Sequence, residues 1–178
     1  MTDLAFSSRP KISRARKVFG VCTLLFAVAC IFVLDQCDIV MNASGSLEEP
    51  AFLMYERPVL LSYGVVVSAQ MPDVLRSRFG EYQFVKRIGG MPGDEITLNA
   101  DGSPCVKDQC YPLWIKDGKP IATGIAPGVI PKGHYAVFGT SPDSLDSRYS
   151  VIGLIAEDQL LGRGWPLPLM SDWREAGL

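Results

Sequence analysis

The chain has 178 residues, 48% of them hydrophobic and 20% charged, with a formal net charge of -2. That composition excludes both a disordered chain and a fully membranous bundle, leaving room for one membrane segment and one domain of roughly 140 residues with a real core. Near-neutral charge, with no basic patch beyond the extreme N-terminus, supplies no field for a nucleic-acid partner.

Arg9, Lys11, Arg14, Arg16 and Lys17 precede Val18 to Leu34, a run without a charged residue. A helix of that length covers about 26 Å, enough to approach the span of a bilayer core. Asp35, Asp38, Glu48 and Glu49 follow it. Basic residues before and acidic ones after place the N-terminus in the cytoplasm and export the rest. The expectation is an uncleaved anchor over 18–34, after a basic cytoplasmic segment over 1–17 and before an exported domain over 35–178. Two cleaved alternatives stay open. Ala27-Val28-Ala29 has the character of a signal-peptide cleavage site, and Ala29-Cys30 that of a lipoprotein site.

Beyond Leu34 the chain carries strand signals and almost no helical periodicity. Val59–Ser68 is rich in β-branched residues, with Gly64 as a candidate bulge. Glu81–Ile88 alternates, and Asp94–Leu98 reads as a short strand after a Pro92-Gly93 turn. Cys105–Ile115 precedes a turn at Asp117-Gly118, and His134–Thr140 and Tyr149–Ile155 complete the set. Thirteen prolines and seventeen glycines punctuate these short runs. The fold class expected is mainly β, of packed antiparallel sheets, preceded by one N-terminal transmembrane helix.

Five cysteines fit an exported domain. Cys22 and Cys30 lie in the apolar run and read as small hydrophobes, and Cys37 lies just beyond it. Cys105 and Cys110 bracket four residues, a spacing that a hairpin can close with a disulfide. The single histidine, His134, and the lack of a second cysteine pair argue against a metal. No cofactor is implied.

Three segments stand out: Asn42 to Leu47 (NASGSL), Phe84 to Asp94 (FVKRIGGMPGD) and Gly139 to Arg148 (GTSPDSLDSR). A serine hydroxyl is a weak nucleophile and needs a base beside it. Without a histidine–carboxylate pair, a neutral lysine is the available base. Lowering a lysine from about 10.4 to about 7–8 takes roughly 4 kcal/mol, which burial in apolar surroundings can supply. Strand alternation puts Tyr82, Phe84, Lys86 and Ile88 on one face, so Lys86 lies on an aromatic–aliphatic surface, while Arg87 falls on the more polar side.

Lys86-Arg87, Gly89 and Met91-Pro92-Gly93-Asp94 together resemble the lysine box of type I signal peptidases. Ser144-Leu145-Asp146-Ser147-Arg148 with Gly153 is similar to their C-terminal box, and Ser44-Gly45-Ser46-Leu47 to their nucleophile box. The resemblance covers Val18 to Gly153. It implies a mainly β fold, with Ser46 as nucleophile and Lys86 as general base. It further implies that Ser44 joins the Ser46 N–H in an oxyanion hole, that Ser144 orients the lysine amine, and that Asp146 and Arg148 brace the loop. Cleavage after small residues of a precursor bound in extended form is the activity implied.

Glu48-Glu49-Pro50 departs from the family pattern, which places proline one position earlier. Small size and the Asn-x-Ser-x-Ser opening look more like the TraF-type branch, the conjugative-transfer peptidases that mature pilin precursors. The expected partners are therefore a signal-bearing or pilin precursor and the cytoplasmic membrane, with the catalytic domain in the periplasm. A housekeeping signal peptidase, a non-catalytic envelope assembly protein and a self-cleaving repressor are the competing readings. No helix-turn-helix pattern precedes the domain to favour the last of these.

Overall fold

The computed structural model describes residues 14–42, 44–80 and 82–167. Arg9, Lys11 and Glu81, named above, and Ala43 within the NASGSL segment lie outside the described residues. The chain divides into two units, the first ending at Gln36 and the second beginning at Cys37.

Among the described residues, the first unit holds one helix, α1 (Arg14–Leu34), which starts four residues before the expected apolar boundary. Its 21 residues cover about 31 Å and present Val, Leu, Phe and Ile outward on all sides. Arg14, Arg16 and Lys17 occupy its first turn, and the rest is uncharged. The helix is long and apolar enough to cross a bilayer.

Among the described residues, the regular structure of the second unit is mainly antiparallel strand. In chain order these are β1 (Cys37–Met41), β2 (Ala51–Tyr55), β3 (Val66–Ala69), β4 (Phe84–Gly90), β5 (Glu95–Leu98), β6 (Pro104–Val106), β7 (Gln109–Cys110), β8 (Ile115–Lys116), β9 (Lys119–Pro120), β10 (Gly128–Val129), β11 (His134–Phe138), β12 (Ile155–Ala156) and β13 (Leu160–Pro166). A seven-stranded sheet runs β1-β2-β13-β3-β4-β11-β12, and a four-stranded one runs β10-β5-β6-β7. The mainly β expectation therefore holds.

Among the described residues, three apolar clusters fill the unit. Val67, Ala69, Phe84, Ile88, Tyr135 and Val137 pack together on one face of the large sheet. Ile96, Val106, Ile130, Ala136 and Phe138 join the small sheet to β11. Leu47, Phe52, Met54 and Val66 form the third. Leu47 is 1% exposed, so the segment just after Ser46 is anchored in a core.

Several strand boundaries differ from the sequence reading. Of Val59–Ser68 only the last part is strand, because Leu60 and Gly64 take left-handed conformations at φ 52° and 76° and turn the chain. Gly64 is thus in a turn rather than a bulge. Tyr149–Ile155 is not a strand. The Tyr149 carbonyl accepts from the Ile152 and Gly153 amides, coiling the chain tightly, and only Ile155–Ala156 pairs with β11. A short helix, α2 (Asp73–Phe79), and strands β1, β2 and β13 were not anticipated.

Candidate active site

Burial along β4 alternates without a break: Phe84, Lys86, Ile88 and Gly90 are buried, and Val85, Arg87 and Gly89 half-buried. The strand pleat therefore drives Lys86 into an apolar face, as the sequence alternation indicates. Lys86 is 5% exposed, and its Nζ lies 4.7 Å from the Phe84 ring centroid. Burial holds this lysine at about 8, against an ordinary 10.5. Asp146 pulls in the opposite direction, and Arg148 adds a smaller downward push.

Ser46 comes from the nine-residue connection between β1 and β2. It is 6% exposed, and its Oγ stands 2.8 Å from Lys86 Nζ. Residues forty positions apart are thus in hydrogen-bond contact. The Ser46 carbonyl accepts from the amides of Thr140 (2.9 Å) and Ser141 (3.2 Å), which follow β11. The Ser46 segment is accordingly held from one side by the Leu47 core anchor and from another by the 139–148 loop.

Ser44 is exposed, with its Oγ 3.1 Å from Ser46 Oγ, and it receives the Ser46 N–H at 3.4 Å. The Ser44 hydroxyl therefore lies beside the Ser46 N–H, the other group expected to bind an oxyanion. Ser144 behaves differently. Its Oγ is buried, has no hydrogen-bond partner among the described residues, and sits against the Gly139 backbone. No hydrogen bond links it to Lys86.

Asp146 and Arg148, at 0% and 3% exposure, form a bidentate pair through Nε to Oδ1 (2.8 Å) and Nη2 to Oδ2 (2.9 Å). Arg148 also donates to the carbonyls of Pro112, Pro142 and Gly139, and Asp146 Oδ2 accepts the Gly139 N–H. One ion pair thereby ties together the end of β11, its following loop and the segment after β7. A disulfide joins Cys105 to Cys110 across β6 and β7.

Sequence reasoning missed two supports. Arg87 pairs with Glu49, linking the neighbour of Lys86 to the segment after Ser46. Asn42 bonds several groups of that same segment. Neither residue type signals such a role without the fold, although Asn42 already stood at the head of the serine motif. A cavity of about 740 Å³ lies beside Arg87, Gly89, Tyr111, Phe138 and Arg148, but Ser46 and Lys86 do not border it. Among the described residues, no three His, Cys, Asp or Glu side chains are gathered as metal ligands.

A serine hydroxyl in contact with a buried lysine of lowered pKa, on an antiparallel β domain, has the geometry of a nucleophile and its base. The family model described as "Signal peptidase, peptidase S26" matches residues 12–165. The chain belongs to that family. It is 32% identical over 142 residues to the "Probable signal peptidase I-2" of Synechocystis sp., an alignment covering 70% of this chain. The chain spans 62% of the length of that relative. It is also similar to the crystal structure of a signal peptidase I from Enterococcus faecalis V583, at 16% identity and a TM-score of 0.36. That alignment covers 57% of this chain and 94% of the other.

Proposed function

We propose that this chain is a membrane-anchored serine endopeptidase of signal peptidase I type, with Ser46 as nucleophile and Lys86 as general base. The 2.8 Å approach of a buried Lys86 Nζ to Ser46 Oγ carries this reading. As an ammonium, Lys86 donates to Ser46. Once neutral, its lone pair accepts the Ser46 O–H.

Ser46 Oγ then adds to the scissile carbonyl carbon as its proton passes to Nζ. The resulting oxyanion is met by the Ser46 N–H and the Ser44 hydroxyl, donors worth about 3–4 kcal/mol each in such sites. Collapse breaks the C–N bond, and the Lys86 ammonium protonates the departing amine. Water then adds to the acyl-enzyme carbonyl, giving a proton to Lys86; the C–Oγ bond breaks and the Lys86 ammonium returns that proton to Ser46 Oγ, freeing the carboxyl product. The Asp146–Arg148 pair holds the 139–148 loop against the Ser46 carbonyl throughout. Ser144 is assigned the part of orienting the Lys86 amine after a rotation of its unpartnered hydroxyl.

The substrate class is an exported precursor bearing a signal sequence. Helix α1 supports anchoring, with the basic end in the cytoplasm and the β domain outside the inner membrane. Confining enzyme and precursor to one bilayer raises their effective concentration. The narrower reading, a pilin precursor in conjugative transfer, rests on the Asn42-x-Ser44-x-Ser46 opening.

The deciding experiment co-expresses a signal-bearing or pilin precursor with the parent chain and with Ser46→Ala, and weighs the products by mass spectrometry. Processing by the parent that disappears in the variant is the expected result. Processing that survives Ser46→Ala moves the nucleophile, with Ser44 first in line. Failure of the parent on every precursor favours the non-catalytic envelope protein.

A further inference from the structure

Asn42 follows β1 directly, at the throat of the connection that carries Ser46. Its backbone N–H donates to the Pro50 carbonyl at 2.8 Å, extending the β1–β2 ladder one step beyond the Met41–Ala51 pair. Its side-chain amide donates twice, to the Leu47 carbonyl at 2.7 Å and to the Glu49 carbonyl at 3.0 Å. Its Oδ1 accepts from the Ser44 hydroxyl at 3.4 Å.

The carbonyls of Leu47 and Glu49 lie in irregular chain, where no ladder partner satisfies them, and Leu47 is fully buried. An amide supplies both N–H donors from one rigid group. Glu49, whose carbonyl is one of the two acceptors, uses its carboxylate to pair with Arg87, the neighbour of Lys86 on β4. The hydrogen bonds thus run from Asn42 to Glu49, and from there to the strand that carries the lysine. A second set, from Thr140 and Ser141, holds the Ser46 carbonyl.

We infer that Asn42 is a positioning residue, whose side-chain amide fixes the Ser44–Glu49 turn so that Ser46 Oγ stays within reach of Lys86 Nζ. This rests on the Ser46–Lys86 reading of the site. Asn42 touches neither the reacting atoms nor Lys86, and acts through the placement of the turn.

Asn42→Asp preserves shape and Oδ1 but turns an anionic oxygen toward two carbonyls, releasing the turn. The test uses the full chain in detergent micelles and a peptide spanning a signal-sequence junction with Ala at the third and first positions before the cleaved bond. For Asn42→Asp, kcat is expected to fall about 100-fold, with KM within about twofold of the parent, the scale of an ångström-sized misplacement. Amide hydrogen exchange is expected to accelerate at Thr140 and Ser141 and to stay at parental rates in β3 and β4. Asn42→Ser, which keeps one short donor, should lose about tenfold and provides the reading if the aspartate variant does not fold.

A general structural role would instead lower the melting temperature and speed exchange across the whole sheet. Parental kcat in Asn42→Asp, or unchanged exchange at Thr140 and Ser141, overturns the inference. Cleavage that survives Ser46→Ala sinks the nucleophile assignment instead. Exchange at Thr140 and Ser141 still reads in that case whether Asn42 holds the turn.

Discussion

The Thr140 amide donates to the Ser46 carbonyl at 2.9 Å, so the candidate nucleophile is supported by the chain end of the strand next to the one that carries its base. Gly139 makes this approach feasible. A Cβ added there would collide with the Ser46 carbonyl oxygen and with the Ser144 side chain. Its close neighbours leave no room for even one methyl group.

Gly139→Ala is therefore expected to push Ser46 away from Lys86 as well as strain the loop. Overpacking of this kind costs about 1–3 kcal/mol of stability. Catalysis should suffer more than stability does, with kcat down by about 100-fold if Ser46 moves by an ångström. Thermal unfolding and single-turnover cleavage on the same preparation check this. Adding Ser144→Ala removes only the Oγ contact, leaves the Ser46 carbonyl and the Ser144 Cβ in the way, and should not restore the rate.

Activity should follow the neutral form of Lys86. With burial holding that lysine at about 8, the rate is expected to rise with pH, to reach half its plateau near pH 8, and to level above it. Lys86→Arg keeps the charge at every accessible pH and should abolish cleavage throughout. A pH–rate profile that is flat from 6 to 10 in the parent would count against Lys86 as the base.

The same burial has a stability consequence of definite sign. Below about pH 8 the lysine is protonated in both folded and unfolded chains, and the folded state bears the cost of a buried cation. Between about 8 and 10.5 the folded chain sheds the proton while the unfolded chain keeps it, so the unfolded state binds more protons and stability rises with pH. The gap corresponds to about 3 kcal/mol. Lys86→Met should accordingly stabilise the domain by up to that amount near pH 7, with the advantage shrinking towards pH 10.5. Denaturant melts of both chains at pH 7 and pH 10 decide it.

What the sequence disclosed depended on whether one strand's pattern was enough. β4 has a period-two alternation, and Phe84, Lys86 and Ile88 share the buried face, whereas Tyr82, expected on it, precedes the strand and is exposed. The apolar run of α1 was equally plain. β13 escaped notice because it reads Leu-Leu-Gly-Arg-Gly-Trp-Pro, and its glycines look like loop punctuation. They serve close packing: a Cβ at Gly162 would strike the Tyr55 backbone, and one at Gly164 would meet the Met54 sulphur. Tyr149–Ile155 has strand-like composition, but Tyr149 is fully buried, with its hydroxyl accepting the Trp114 amide, and the chain after it turns back on itself. Such constraints come from partners distant in sequence. The contact between Ser46 and Lys86 could be expected only from the resemblance, since nothing local to either residue says that the β1–β2 connection reaches β4.

The hairpin closed by Cys105 and Cys110 leads directly to Tyr111, which stacks on Phe138, and to Pro112, whose carbonyl accepts from Arg148. Cys105→Ser with Cys110→Ser should cost about 2 kcal/mol, the order expected when so short a loop loses its cross-link. The melting temperature should fall under oxidising conditions, and reductant should lower the parent to the same value. Cleavage at a temperature where both chains are folded should change by less than about threefold, because Arg148 retains its other acceptors. A larger loss of rate would mean that the hairpin shapes the site itself.

Asp146 and Arg148 act on Lys86 in opposite directions, and this gives a test in which rate and stability part company. Asp146 raises the Lys86 pKa and Arg148 lowers it. Asp146→Asn removes the upward pull and leaves the Arg148 cation in place, so the half-maximal pH of cleavage should move below that of the parent. At the same time Arg148 loses its buried counter-charge, which in comparable pairs costs about 3–5 kcal/mol. The expected variant is thus less stable yet reaches its own plateau rate at a lower pH. Arg148→Met should shift the midpoint the other way, and it leaves Asp146 with fewer partners to hold the Gly139 amide. Midpoints that move in the same direction in both variants would mean that the pair reaches Lys86 through the shape of the loop and not through its charges.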